Sequence, residues 1–395
     1  MQKREYFNHF DPNCVPSPCF VIDIAAVEDN LKILNRVQRE SGAKVLAALK
    51  AFSCWSLAPL FRQYLSGTCA SGLHEARLGK EEFGGEVHCY SAAHKESDLI
   101  EILKIADHVL FNSFSQWSRF KSMALEAQRK RPELHFGIRI NPEHSEGEVA
   151  LYDPCSPCSR MGVPIAEFEK ALAQDPEILE GISGLHFHTL CQQDLPPLQR
   201  TLEAVKEKFR KYFNRIQWIN FGGGHHISRE DYQVDELIAM IKQFRAETGL
   251  QIYLEPGEAV AIRSGVLVAE VLDITWNSMP QAILDTSATC HMPDVLEMPY
   301  RADILGAALP NELPHTYRLG GMTCLAGDVI GDYSFAQPLQ IGQRLIFDDM
   351  AHYTMVKTTT FNGINLPAIA LWDSRTNDLK IQREFNYDDF KHRLS

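Results

Sequence analysis

The chain has 395 residues, 45% of them hydrophobic and 23% charged, a balance that excludes a disordered or collagen-like polymer and a length that suggests about two domains. Its 39 basic and 51 acidic residues give a formal charge of −12, which argues against a nucleic acid or an anionic membrane as partner, since both need basic patches. No apolar run approaches the roughly 20 residues of a membrane helix, and the opening MQKREYFNHF lacks the apolar centre of a signal peptide, so a cytoplasmic protein is expected.

In chain order, the first periodic stretch is 25–39, where Val27, Leu31, Leu34 and Val37 share one helical face. Short β-rich runs then follow at 44–49, 67–71, 87–91, 108–112, 135–140, 184–188, 218–221 and 251–254, with helical patterns between several of them, among them 198–213 and 234–248. Eight strands alternating with helices predict a parallel α/β fold closed into a (β/α)8 TIM barrel. Beyond about Val260 the periodicity changes. Strand-like runs at 265–273, 281–284, 317–319 and 344–347 succeed one another with Gly and Pro between them, which predicts a β-rich C-terminal domain. The expected division is a barrel over 16–260 and a β-rich domain over 261–395, joined by 1–15.

The ten cysteines are scattered, and only Cys155 and Cys158 form a CxxC pair. A zinc ribbon needs a second pair, so buried or loop thiols in the reduced state are expected and no metal site is assigned.

Barrel chemistry gathers at the C-terminal ends of the strands. The first strand leads into Lys50, the sixth into His186-Phe187-His188, the seventh into Gly222-Gly223-Gly224 and the eighth into Glu255-Pro256-Gly257-Glu258. Taken singly, each feature has a plain reading: a snorkelling surface lysine, an ordinary glycine turn, a helix-capping glutamate. Lys50 follows the apolar VLAAL, and desolvation there would make it a nucleophilic amine. Backbone N–H groups of the glycines could meet a phosphate. Of the two histidines, one is expected to face the barrel interior and the other the helices. Together and in this order the four features describe a pyridoxal 5'-phosphate (PLP) site: an amine to carry the cofactor, a histidine against its ring, a phosphate turn and an acid for the pyridine nitrogen.

These segments resemble the fold type III PLP decarboxylases, the ornithine and diaminopimelate decarboxylase family with its alanine-racemase-like barrel, over nearly the whole chain. PCFVID resembles the opening strand, ALKAF the segment carrying the cofactor lysine, TCASGLHE the segment that would bring Glu75 near the site, HFH the segment whose second histidine stacks on the ring, NFGGGHH the phosphate glycines and EPGE the segment whose first Glu pairs with the ring nitrogen. GMTCLAGD and MAHYT resemble the second-domain segments. The resemblance implies that Lys50 carries PLP and that His188, Gly222, Gly223, Gly224, Glu255 and Tyr353 hold it. It implies a homodimer with shared active sites, in which Cys324 reaches the neighbouring site and returns a proton to the substrate α-carbon.

The departures bear on the substrate. Glu258 stands where the family usually has an arginine that helps hold the phosphate, Leu325 follows Cys324 where an acid is usual, and Thr189, Leu190 and Cys191 occupy a region where the family has a serine. The pattern resembles the carboxynorspermidine/carboxyspermidine decarboxylases of this family. It implies a small cationic carboxy-polyamine substrate, with Glu258 and Asp294 recognising its amines and Asp328 a weaker candidate. Alternatives on the same fold are a diaminopimelate or ornithine decarboxylase, an amino-acid racemase and a PLP carrier without turnover.

Overall fold

A computed structural model describes residues 7–147 and 153–395. The chain forms two compact units, one of residues 30–260 and one of residues 1–29 with 261–395.

The chain enters its structure through β1 (Cys19–Asp23) and α1 (Ile24–Ser41). Eight parallel strands then close into a barrel: β2 (Lys44–Ala48), β3 (Gly67–Ala70), β4 (Glu86–Tyr90), β5 (His108–Phe111), β6 (His135–Arg139), β7 (Ile182–His186), β8 (Trp218–Asn220) and β9 (Gln251–Leu254). The barrel closes where Lys44 and Val45 pair with Tyr253 and Leu254. All eight strands lie within a residue or two of the runs read from sequence. The helices over 25–39 and 234–248 are equally close, as Ile24–Ser41 and Val234–Thr248. The 198–213 pattern divides into an α-helix, Leu195–Phe209, and a 3-10 segment, Arg210–Arg215.

Two glycines explain how the barrel fills. Leu46, Leu110, Trp218 and Tyr253 pack as one cluster. A Cβ at Gly184 would lie 2.1 Å from the Trp218 ring and one at Gly137 2.4 Å from it, so β6 and β7 make room for the indole by having no side chain there. The N-terminal end of the barrel is plugged by imidazoles. His88 and His108 stack at 3.8 Å with their planes 12° apart, and His135 lies 4.9 Å from His108. Glu86, His88 and His108 bring metal-ligating atoms within 4.8 Å of one another, but nearly parallel rings point their in-plane lone pairs side by side rather than at one point.

The other unit is a nine-stranded sheet completed by β10 (Gly265–Asn277), β11 (Met279–Leu284), β12 (Ala307–Ala308), β13 (His315–Gly320), β14 (Val329–Phe335), β15 (Arg344–Phe347), β16 (Ala368–Asp373) and β17 (Asp378–Arg383). Here the sequence reading needs correction. The segment 16–29, expected with the barrel, belongs to this unit. β1 pairs antiparallel with β10 and parallel with β16, so its backbone groups are satisfied between strands distant in sequence, a partnership no local pattern records. β12, β14, β16 and β17 are also absent from the sequence reading. Gly331 and Asp332 interrupt the apolar run of β14, and β17 is a polar edge strand of partly exposed residues.

Candidate active site

One cavity lies at the C-terminal ends of the barrel strands, lined by Ala48, Lys50, Cys69, Ala70, Ser71, Tyr90, Arg139, His186, His188 and Glu255. Three of the anticipated residues, Lys50, His188 and Glu255, therefore share one space. Lys50 sits in the turn just beyond β2, whose end is tied to the β9 end by the Ala48 N–H donating to the Pro256 carbonyl at 3.0 Å. Ala51 and Phe52, which follow it, are fully buried and anchor that turn.

Glu255 is a largely buried carboxylate, its side chain 11% exposed, with a defined set of donors. His186 Nε2 lies 3.2 Å from Oε2, and Asn220 Nδ2 donates to Oε1 at 2.7 Å. Burial opposes its ionisation, yet the imidazole of His186 and these hydrogen bonds outweigh burial and hold the carboxyl well below its ordinary value of 4.5. Such a group adds stability above its ordinary pKa that disappears as pH falls below it. Glu255→Gln is accordingly expected to shrink the loss of stability between pH 7 and pH 3, read as the shift of the urea midpoint. An unchanged shift would mean that the carboxylate is not stabilised in the fold.

The histidines correct a second expectation. His186 and His188 both line the cavity, because residues two apart on an extended chain face the same side. Phe187, between them, stacks on Phe221 at 5.4 Å. His188 Nδ1 accepts the Gly223 N–H at 2.9 Å, which leaves the ring proton on Nε2. Burial, with the nearby charges of Lys50 and Arg139, keeps this imidazole well below its ordinary pKa and so neutral.

The three glycines are required by close approach. Gly222 has φ +70°, and a Cβ there would lie 2.5 Å from the Phe187 carbonyl; the corresponding distances are 2.0 Å from Gly223 to the Glu255 carbonyl and 1.9 Å from Gly224 to the Leu190 carbonyl. The turn is thus pressed between the ends of β7 and β9. The sequence reading placed N–H groups of this turn against a phosphate, and two of the three already have acceptors within the chain. Gly222 N–H donates to Asn220 Oδ1 and Gly223 N–H to His188 Nδ1. Gly224 N–H has no acceptor among the described residues.

Glu258 opens the short helix Glu258–Ala261. Its Oε1 accepts from Gln192 Nε2 at 3.0 Å, and its Oε2 lies 3.0 Å from His226 Nε2. It is not part of the cavity lining, and its carboxylate already has partners within the chain. Glu75 accepts the Ser71 N–H at 2.6 Å and so shapes the loop that lines the cavity.

The remaining anticipated residues belong to the sheet unit. Cys324 is exposed with a free thiol, and its backbone N–H donates to Asn362 Oδ1 at 2.8 Å. Asp328 is buried and accepts from the Ser287 hydroxyl at 2.9 Å and the Thr323 hydroxyl at 2.7 Å, so it braces the Cys324 loop. Asp294 is ion-paired with the Lys357 ammonium. Tyr353 has φ +51°, a strained left-handed backbone conformation.

Sequence reasoning passed over Tyr90, Arg139, His186 as a partner of Glu255, and Asn220. Arg139 lies 4.7 Å over the Tyr90 ring and donates to the His188 carbonyl at 3.0 Å. Each stands at a strand end, so the rule that located Lys50 could have located these as well.

The donor set fits PLP: an amine, a pinned neutral imidazole and a buried carboxylate line one cavity beside a glycine turn. A family profile described as pyridoxal-dependent decarboxylase, C-terminal sheet domain, matches residues 19–351. The chain belongs to the pyridoxal-dependent decarboxylases. As a member of this family it is an enzyme, and PLP is its cofactor. This pyridoxal-dependent decarboxylase is 43% identical to carboxyaminopropylagmatine decarboxylase of Synechocystis sp., covering 96% of each chain. It is 42% identical to carboxynorspermidine/carboxyspermidine decarboxylase of Campylobacter jejuni, covering 96% of this chain and 98% of that one. A crystal structure of carboxynorspermidine decarboxylase from Campylobacter jejuni complexed with norspermidine superposes with a TM-score of 0.86 at 40% identity, covering 96% of this chain and all of that one. No described helix of this decarboxylase is long and apolar enough to cross a membrane.

Proposed function

We propose that this decarboxylase removes the α-carboxylate of carboxynorspermidine and carboxyspermidine, giving norspermidine and spermidine. The observation that carries the reading is Asp294. Its side chain is only 14% exposed and already holds an alkylammonium, the Nζ of Lys357, the same chemical group that a polyamine presents. Glu258, where an arginine would favour a second carboxylate, is proposed to meet another amine in exchange for Gln192 and His226.

Bound PLP supplies the electron sink that accepts the electrons of the broken carbon–carboxylate bond. Within the chain, Lys50 would hold the cofactor through its amine. The ring of His188, pinned through Nδ1, keeps a fixed face toward the cavity. Glu255 stays anionic to pair with the ring nitrogen. Tyr353 and the glycine turn are assigned to the phosphate, and Cys324 to the proton returned at the α-carbon.

The working unit is proposed to be a homodimer. Met322, Leu325 and Phe361 are each more than 40% exposed around the exposed Cys324, an apolar surface of the kind that a second copy would cover. Ten cysteines, all free thiols, suit a reducing cytoplasm.

Release of CO2 from carboxynorspermidine, carboxyspermidine, carboxyaminopropylagmatine, meso-diaminopimelate and ornithine tests the substrate. The carboxy-polyamines are expected to exceed the last two by at least about 100-fold in kcat/KM, the gap set by unpaired buried charge in the wrong complex. Comparable turnover of ornithine or diaminopimelate would overturn the reading, and faster turnover of carboxyaminopropylagmatine would assign the site to a guanidinium tail instead. Asp294→Asn and Glu258→Gln are each expected to raise KM about tenfold or more while PLP affinity stays within about twofold, since a charge-assisted hydrogen bond contributes roughly 1.5–3 kcal/mol. Loss of PLP affinity in Glu258→Gln would place that residue with the cofactor.

A further inference from the structure

We propose that His186 and Asn220 are positioning residues that clamp the Glu255 carboxylate from both oxygens, and that Asn220 locks it to the glycine turn. The inference rests on the reading of Glu255 as the partner of the ring nitrogen.

The geometry is a closed circuit. Asn220 Nδ2 donates to Glu255 Oε1 at 2.7 Å, while Asn220 Oδ1 accepts the Gly222 N–H at 2.8 Å. The Gly222 carbonyl in turn accepts the Glu255 N–H at 2.8 Å. A carboxamide donates at one end and accepts at the other, and Asn220 uses both ends here. An aspartate there would set a second carboxylate against Glu255 and lose the donor. The side chain is fully buried.

His186 completes the clamp from the other oxygen. Its side chain is 2% exposed, its Nε2 meets Glu255 Oε2 at 3.2 Å, and its Nδ1 has no partner among the described residues. Burial lowers its pKa, and the neighbouring charges of Arg139 and Lys50 act in the same direction against the opposing pull of Glu255. The imidazole then donates one N–H to the carboxylate, which stays ionised for the ring nitrogen. A buried carboxylate with no donors would take up a proton instead. Neither residue needs to touch substrate or cofactor to have this effect.

The test uses PLP-loaded Glu255→Gln, Asn220→Asp, Asn220→Ala, His186→Ala and His186→Gln, with kcat, KM and the pH dependence of the visible cofactor spectrum as readouts. Asn220→Asp, Asn220→Ala and His186→Ala are expected to lower kcat about 10- to 100-fold, the usual cost of removing an orienting partner. KM should stay within about threefold, and the spectral pH profile should shift in the direction seen for Glu255→Gln. His186→Gln, which keeps a donor, is expected to recover much of the loss. His186→Ala combined with Glu255→Gln is expected to cost no more than Glu255→Gln alone. If Glu255→Gln itself leaves kcat and spectrum unchanged, the reading of Glu255 fails. If Glu255→Gln acts but the His186 and Asn220 variants leave the spectral profile in place, the positioning role fails alone. A variant that loses its fold is recognised by circular dichroism, and the His186→Gln and double-variant comparisons then decide the question.

Discussion

Replacing Lys50 with alanine is expected to abolish covalent retention of PLP after borohydride reduction, read by mass spectrometry, and to reduce turnover by at least about 10³-fold, the scale on which a covalent nucleophile contributes. The cavity has two cationic side chains, Lys50 and Arg139. A guanidinium stays protonated in proteins, and Arg139 is committed to the Tyr90 ring and the His188 carbonyl. Only Lys50 can present a free amine electron pair there. Lys50→Arg keeps the charge and removes that nucleophile, so it should fail as completely as alanine. If either variant retained PLP covalently, another lysine would carry the cofactor and the assignment of the β2 end would be wrong.

Mixing two inactive variants, Lys50→Ala and Cys324→Ala, is expected to restore about a quarter of wild-type activity. Random pairing of two equally abundant subunits in a two-fold dimer makes half of the dimers mixed. In each mixed dimer one shared site combines the intact Lys50 of one chain with the intact Cys324 of the other, while the second site has neither. The single variants should differ in kind: Lys50→Ala loses covalent PLP, and Cys324→Ala keeps it while losing the proton donor. Exchange without recovery of activity would put Lys50 and Cys324 in the site of a single chain. A monomer in light scattering would remove the dimer itself. The exposed thiol and its apolar neighbours make the shared site the better reading, because a proton donor at the α-carbon has to be shielded from bulk water when it acts.

Much of the site was legible in the sequence because barrel strands advertise themselves. Each is buried on both faces and reads as a short apolar run, and the residue beyond its end faces the chemistry. Lys50, His188 and Glu255 fall into one cavity for that reason. Asn220 stood directly before the glycines and was passed over, since nothing in its neighbours tells that its amide joins two strand ends. The His186-Phe187-His188 spacing carried enough information to place both histidines on one side, by strand alternation alone. Glu258 and Asp294 were visible as carboxylates, but their partners His226, Gln192 and Lys357 lie 32, 66 and 63 residues away.

The sequence by itself determined the eight-stranded barrel, its order and the lysine, histidine, glycine and glutamate segments at its strand ends, because periodicity and local composition are short-range properties of the chain. Tertiary structure alone decided that β1 leaves the barrel for a sheet with β10 and β16, that two of the three glycine N–H groups are already used, and that Glu255 is held by His186 and Asn220. Each of these is a hydrogen-bonding choice between groups far apart in sequence. A buried donor or acceptor takes whichever partner the fold brings within about 3 Å, and no window of neighbouring residues states which partner that is.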